Sequence, residues 1–199
     1  ITRTILWKVM IYIAGVGMIL GMLFSENLAS GIEQGLYRDK VIYSEQTPYQ
    51  KLVLTKHKDD VRLYINGNIQ FSSMDEYRYH EVLVHVPMSA AKKREKVLIL
   101  GGGDGLAVRE VLKYPETQQI DLVDLDIGVT ELCRNHKNIK KINEDSLDSS
   151  KLKIYNEDAY EFLESNVGKG LYDVILVDMP DPNSETVNKL YTDLFYRLC

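Results

Sequence analysis

The stretch Lys96 to Glu110, KVLILGGGDGLAVRE, restricts what this chain can fold into more than any other. Val97 to Leu100 form an unbroken apolar run, the pattern of a strand covered on both faces of a parallel sheet. The run enters Gly101-Gly102-Gly103-Asp104-Gly105 and then Leu106-Ala107-Val108-Arg109-Glu110, a segment with several good helix formers. Strand, glycine turn and helix make up the first unit of a nucleotide-binding α/β fold. Glycines such as Gly101 and Gly103 let the backbone turn tightly and approach a ligand that a Cβ would exclude.

The context adds to that reading. About twenty residues on, where a ribose-binding acid stands at the end of a second strand, comes Gln119-Ile120-Asp121-Leu122-Val123-Asp124, and Asp124 is the ribose candidate. The dinucleotide form Gly-x-Gly-x-x-Gly is not met, because no glycine follows Gly105 at the spacing of its third one. A ligand without a pyrophosphate, such as S-adenosylmethionine or a relative, fits better. A glycine turn with no ligand is the plain alternative.

Further short strands, Leu152 to Tyr155 and Asp173 to Val177, alternate with helical patterns at Ile127 to His136 and Tyr160 to Ser165, while Asn138 to Ser150 is polar and loop-like. The β-α-β-α-β-α-β pattern predicts a Rossmann-like α/β domain over 91–199, a parallel sheet with helices on both faces. Before it, 41–90 reads as a small antiparallel β lobe with a connecting helix. Its strands are Leu52-Val53-Leu54, Val61 to Ile65 and Ile69-Gln70-Phe71. The polar turn Lys56 to Asp60 and the hairpin signal Asn66-Gly67 separate them. Met74 to Val86 opens as a helix and Pro87 is expected to close it.

Residues 1–40 are predicted to hold a transmembrane or membrane-anchoring helix and a linker with two glycines from Ser25 to Lys40. Val9 to Phe24 carries no charge, and Gly15, Gly17 and Gly21 suit a membrane helix. A buried soluble helix or a signal-peptide core are the alternatives. Arg3 and Lys8, read by the positive-inside rule, would put the following domain outside. The first residue is Ile1, so the sequence is expected to be a segment of a longer chain.

Ligands of such sheets bind beyond the carboxyl ends of the strands. Four acids fall there: Asp104, Asp124, Asp158 and Asp178. Asp124 would take the ribose hydroxyls and Asp158 the adenine amino group. Asp104, Asp178 and Asp181 are left to face a cation, with Pro180 and Pro182 stiffening the loop. A net charge of -5 argues against nucleic acid as the partner and suits a cationic substrate. Cys133 and Cys199 are too few for a disulfide framework. His57, His85 and His136 lack metal-ligand spacing, so no metal is expected, and Arg109-Glu110 reads as a structural polar face.

Several linked motifs then carry a resemblance: Tyr49-Gln50, NGNIQFSSMDEYRYHE from Asn66 to Glu81, GGGDG with its following Arg109-Glu110, Asp124, and DMPDP at Asp178 to Pro182. From about Tyr43 to Cys199 the chain resembles the polyamine aminopropyltransferases, the spermidine synthase family. The apolar N-terminus resembles its membrane-attached bacterial branch. The resemblance implies transfer of an aminopropyl group from decarboxylated S-adenosylmethionine, a co-substrate rather than a tightly bound cofactor, to putrescine or a similar diamine. Spermidine and methylthioadenosine would leave. It makes Asp178 the general base, with Tyr79 and Asp181 positioning the amine. Asp104 and His80 would hold the aminopropyl or polyamine portion, and Gln50, Asp124, Asp158 and Ala159 the thioadenosine. It also suggests a homodimer, and the bacterial inner membrane with the catalytic domain in the cytoplasm.

Three departures stand out. Leu106 and Ala159 replace common glycines, and the loop PNSETVNKLY after Asp181 lacks the Gly-Pro of many relatives. The sheet is expected to continue past Cys199, which would supply the far end of the diamine pocket. A methyltransferase on the same fold is the rival, since Asp178-Met179-Pro180-Asp181 partly imitates an Asn/Asp-Pro-Pro-Tyr motif. A membrane-tethered polyamine- or nucleoside-binding domain without catalysis is the other, but it has no need of Asp178.

Overall fold

The computed structural model describes residues 2–169, 172–182 and 185–199. Helix α1, Thr2–Leu36, precedes an antiparallel sheet of β1 (Lys40–Gln46), β2 (Lys51–His57), β3 (Asp60–Ile65) and β4 (Asn68–Ser72), in that order. Helix α2, Glu76–Ala90, connects this lobe to β5 (Lys96–Gly101) and α3 (Leu106–Leu112). Then follow β6 (Gln119–Val123), α4 (Ile127–Asn135), α5 (Lys137–Asn143), β7 (Leu152–Tyr155), α6 (Ala159–Asn166) and β8 (Val174–Asp178). Short helices α7 (Glu185–Asn188) and α8 (Asp193–Leu198) come last. The second sheet is parallel, with order β7-β6-β5-β8. The direction of winding reverses at β5, and a crevice for a ligand forms at such a switch point.

The strands of this sheet are apolar because both faces are covered. Val97 to Leu100 are fully buried, with Val97 and Ile99 facing one core and Leu98 and Leu100 the other, as alternation along a strand requires. The larger core runs without a break from Leu52, Leu54, Leu63 and Phe71 of the lobe, through Val84 and Met88 of α2, to Val97, Ile99, Leu106 and Ile120. The lobe is also latched by a polar contact. Thr47 Oγ1 donates to Asp126 Oδ2 at 2.7 Å and accepts from the backbone N–H groups of Tyr49 and Gln50. A Cβ on Gly128 would sit 2.5 Å from Thr47 Cγ2, so the two segments are in close contact.

Three expectations need correction. The stretch from Ser25 is not a linker: α1 runs on to Leu36 through Gly31 and Gly35. Leu28, Ala29, Glu33 and Gln34 are good helix formers, and an isolated glycine costs only about 1 kcal/mol. Pro87 does not end α2 but lies inside its last turn, where it removes a single backbone bond and its own carbonyl accepts from Ala91 N at 3.0 Å. Asn138 to Ser150 is not a loop either: α5 forms because Ile139 is fully buried and Asn143 nearly so. The predicted span Val9 to Phe24 lies inside α1; among the described residues no helix is long and apolar enough to cross a membrane. The side chains of residues 20 and 22–29 in that stretch lie outside the described ones.

Removing the latch should be measurable. Thr47→Val, close in shape but without the hydroxyl, should lower unfolding stability by about 1–3 kcal/mol, since it strands a buried carboxylate oxygen. Thr47→Ser should restore most of the loss. Chemical denaturation of the three proteins decides, and equal midpoints would show that the contact contributes nothing.

Candidate active site

The glycine turn is shaped by how near it passes to the next strand. Gly101 pairs with Asp178 across β5 and β8, and Gly102 N donates to the Asp178 carbonyl at 3.1 Å. A Cβ on Gly101, which has φ of +82°, would lie 1.9 Å from that carbonyl oxygen. One on Gly103 would lie 2.5 Å from Asp124 Oδ2. No other residue type fits at Gly101, and a side chain at Gly103 would displace the Asp124 carboxylate. The turn thus brings Asp104, Asp124 and Asp178 to the carboxyl ends of neighbouring strands.

Each acid is held differently. Asp124 accepts from Gly103 N at 2.9 Å through Oδ2 and from Asp126 N at 3.0 Å through Oδ1. Each oxygen keeps a lone pair for a ribose hydroxyl. Burial is the main cause that pushes its pKa up to about 6, against those two N–H bonds. Asp104 Oδ1 accepts from Leu106 N, the first residue of α3, at 2.9 Å, and Asn143 Nδ2 donates to the Asp104 carbonyl at 3.0 Å. Burial and the nearby Asp178 charge raise its pKa to about 6 while His80 opposes them. Asp178 accepts from the Tyr79 hydroxyl at 2.8 Å through Oδ1. Burial raises its pKa too, with the Tyr79 bond and His80 working the other way. Helix α2 supplies Tyr79 and His80 from consecutive positions, their rings 5.1 Å apart and perpendicular.

His80, Asp104 and Asp178 form one cluster. A donor atom from each lies within 4.8 Å of the others, close enough to share a single cationic group. Such a set of carboxylates and an imidazole suits the several N–H bonds of an ammonium.

The remaining predicted residues are placed around this cluster. Gln50 stands in the β1–β2 turn that Thr47 ties to Asp126, two residues past Asp124. Ala159 is buried at the start of α6. Both oxygens of Asp158 already hold a partner: Oδ1 accepts from Tyr160 N at 2.8 Å and Oδ2 from Lys189 Nζ at 2.6 Å. An adenine amino group at Asp158 would therefore compete with Lys189. Asp181 is exposed rather than part of the cluster. Its loop is pinned by Tyr191, whose hydroxyl donates to the Pro180 carbonyl at 2.8 Å. Residues 183 and 184 of that loop lie outside the described ones.

Sequence reasoning missed Lys189, Tyr191, Thr47 and Glu76. Nothing local marks the first three. Glu76 and His80 stand at the i, i+4 spacing that places two side chains on one helix face, and that signal was available. Arg109 and Glu110, read as a structural polar face of the helix, are buried.

Residues 76–199 match the spermine/spermidine synthase domain. The chain belongs to that family. A polyamine aminopropyltransferase of Oceanobacillus iheyensis is 50% identical over 186 residues, 94% of this chain and 36% of that protein. One from Leptospira interrogans is 47% identical over 179 residues, 90% of this chain and 36% of the relative. Among solved structures, a spermidine synthase in complex with the transition-state analogue AdoDATO superposes with a TM-score of 0.73 at 33% identity, covering 80% of this chain and 53% of that one. The spermidine synthase from Thermotoga maritima gives 0.71 at 33% identity, covering 80% and 52%. The chain spans about a third of the length of the curated relatives it matches.

The Asp124 environment gives a stability prediction with a definite sign. The folded state holds the Asp124 proton at about 6, above the ordinary 3.8. The cost of ionisation therefore builds as the pH rises from 3.8 to about 6, is complete above that, and vanishes below 3.8. Asp124→Asn, which imitates the protonated acid, should raise unfolding stability near neutral pH by about 1–3 kcal/mol, at about 1.4 kcal/mol per pKa unit. The advantage should fade as the pH falls toward 3.8. Denaturation at several pH values checks this; a less stable variant near neutral pH would mean that the two N–H bonds outweigh burial.

Proposed function

We propose that the protein transfers an aminopropyl group from decarboxylated S-adenosylmethionine to putrescine or a similar diamine, giving spermidine and methylthioadenosine. The observation that carries this reading is the Tyr79–Asp178 pair facing Asp104 and His80 beside the ribose acid Asp124. The names of the relatives agree with it.

The chemistry follows from the charges. A diamine is protonated near neutral pH and cannot attack until it loses a proton. Asp178 attracts the ammonium, and the Tyr79 hydroxyl, bonded to Oδ1, orients the carboxylate so that Oδ2 is presented to the amine. As the nitrogen bonds to the aminopropyl carbon beside the sulfonium, that carbon–sulfur bond breaks. Its electron pair stays on sulfur as a neutral thioether; Asp178 has already taken the proton whose loss freed the nitrogen lone pair, and the product leaves as a secondary ammonium. A carboxyl whose pKa is raised by burial is a better match to this task near neutral pH than an ordinary aspartate. Asp104 provides the second negative charge for the amine of the aminopropyl chain. Gln50, Asp124, Asp158 and Ala159 take the thioadenosine, with Lys189 leaving Asp158 as adenine arrives.

Asp178→Asn should lower kcat by about a hundred- to ten-thousand-fold while methylthioadenosine affinity stays near wild type. The intact protein, incubated with putrescine and either decarboxylated or ordinary S-adenosylmethionine, should yield spermidine from the decarboxylated donor alone by mass spectrometry. A methylated amine together with S-adenosylhomocysteine would replace this reading with the methyltransferase one.

The second part of the proposal concerns α1, where every described side chain from Ile5 to Ile19 is exposed, including Trp7, Ile11 and Ile13. An apolar surface of that extent calls for a cover. Lipid of the bacterial inner membrane is the proposed cover, with the catalytic domain in the cytoplasm. The intact protein should sediment with membranes, and replacing Ile5, Trp7, Ile11 and Ile13 by serine should release it. Recovery of the unaltered protein in the soluble fraction would overturn this part.

A further inference from the structure

Next to the cluster lies a buried charge chain that the reaction as described does not use. Glu76, one helical turn before His80, is 8% exposed, Arg109 8%, His80 3% and Glu110 0%. His80 Nδ1 is 2.9 Å from the Glu76 carbonyl oxygen and 2.9 Å from Glu76 Oε2. A carbonyl only accepts, so Nδ1 carries the proton. Nε2 is then the one ring nitrogen left to serve Asp104 and Asp178.

Glu76 is itself fixed from behind. Arg109 Nη1 donates to Oε1 at 2.8 Å and Nη2 to Oε2 at 3.1 Å, a two-pronged grip. Arg109 is held in turn by Glu110 Oε1 at 2.9 Å and the Ile142 carbonyl at 2.7 Å. Burial works against a charge on Glu76, but the bonds from His80 and Arg109 outweigh it and keep its pKa below the ordinary value.

The groups facing the His80 ring are thus Glu76 and Tyr79 from α2, Asp104 from the glycine turn and Asp178 from β8, with Arg109 of α3 reaching it only through Glu76. Three carboxylates surround one imidazole. Burial alone would keep the ring neutral, yet the Glu76 bond and the Asp104 and Asp178 charges raise its pKa to about 9.

We propose that Glu76, gripped by Arg109, is a positioning residue that keeps His80 as a resident cation between Asp104 and Asp178, a place-holder that gives up its Nε2 proton to solvent when a substrate ammonium takes over the same carboxylates. After that exchange Nε2 offers a lone pair to an N–H of the bound amine, and Nδ1–H stays on Glu76. No bond to carbon changes in this step: one proton leaves the imidazole, and one positive charge enters with the ligand. The inference rests on the proposed aminopropyl transfer for the identity of the ammonium, but the state of His80 does not depend on it.

Two measurements on the intact protein test it. Calorimetric titration with putrescine near neutral pH, in buffers of different ionisation enthalpy, should show about one proton released per diamine bound. Glu76→Gln should release less than half of that, because its His80 is already neutral. Imidazole nitrogen NMR, with the His80 signals assigned by their loss in His80→Gln, should show Nδ1–H and a midpoint well above 6.5. In Glu76→Gln that midpoint should drop by about one unit or more. Glu76→Asp, which keeps the charge, should restore part of the shift, whereas a merely structural role would move neither proton count nor midpoint.

Diamine binding with no proton release, or an Nε2–H neutral ring in the wild type, overturns the proposal. If Glu76→Gln does not fold, these two wild-type results decide alone. If putrescine does not bind at all, the aminopropyl reading fails, and the NMR titration still judges the Glu76–His80 pair separately.

Discussion

The site depends on how closely the glycine turn passes the end of β8. With a side chain at position 101 the backbone could not approach the Asp178 carbonyl, and the Gly102 N–H bond to that carbonyl would be lost. The same approach packs Gly103 against the Asp124 carboxylate. Neighbouring strand ends in a parallel sheet are about 5 Å apart, so residues just beyond them are brought together without long side chains. Aspartate, short and stiff, is then the natural carrier of charge. Its placement is set by the backbone and not by rotamer choice.

Concentrating acids in one crevice is electrostatically unfavourable. Burial makes it worse, which is why Asp104, Asp124 and Asp178 all hold their protons more tightly than free aspartate does. The structure offsets the excess in three ways. Backbone N–H groups bind Asp124 and Asp104, Tyr79 donates to Asp178, and the charged chain from Arg109 through Glu76 to His80 brings positive charge to the acids from behind. What is left over is a net attraction for a cation of the size of an ammonium.

Much of this was legible in the sequence because it is local. The buried strand Val97 to Leu100, the glycine turn and the Asn66-Gly67 hairpin each depend on residues adjacent in the chain. The structure bears out Asp124 and Asp178 as strand-end acids for the same reason. Where the reading failed, the deciding contact was distant. Ile139 turns a polar stretch into a helix by reaching the common core, and Arg109 is drawn inside by Glu76, thirty-three residues away. Lys189 meets Asp158 across thirty-one residues, and Thr47 meets Asp126 across seventy-nine, separations that no periodicity encodes. Charge hides burial most: Arg109-Glu110 reads as a polar helix face, and only the fold supplies the partners that allow it to go inside.

The unbroken core beneath the two sheets bears on how the molecule comes apart. Leu52, Leu54, Leu63 and Phe71 are covered by the same apolar mass that covers Val97 and Ile120. The antiparallel lobe is therefore not a detachable accessory. Opening it would wet the underside of α2, and with it the helix that carries Glu76, Tyr79 and His80. Loss of order at the periphery and loss of the crevice should then be one cooperative event, so that partial unfolding gives no half-built site with its acids bared to water.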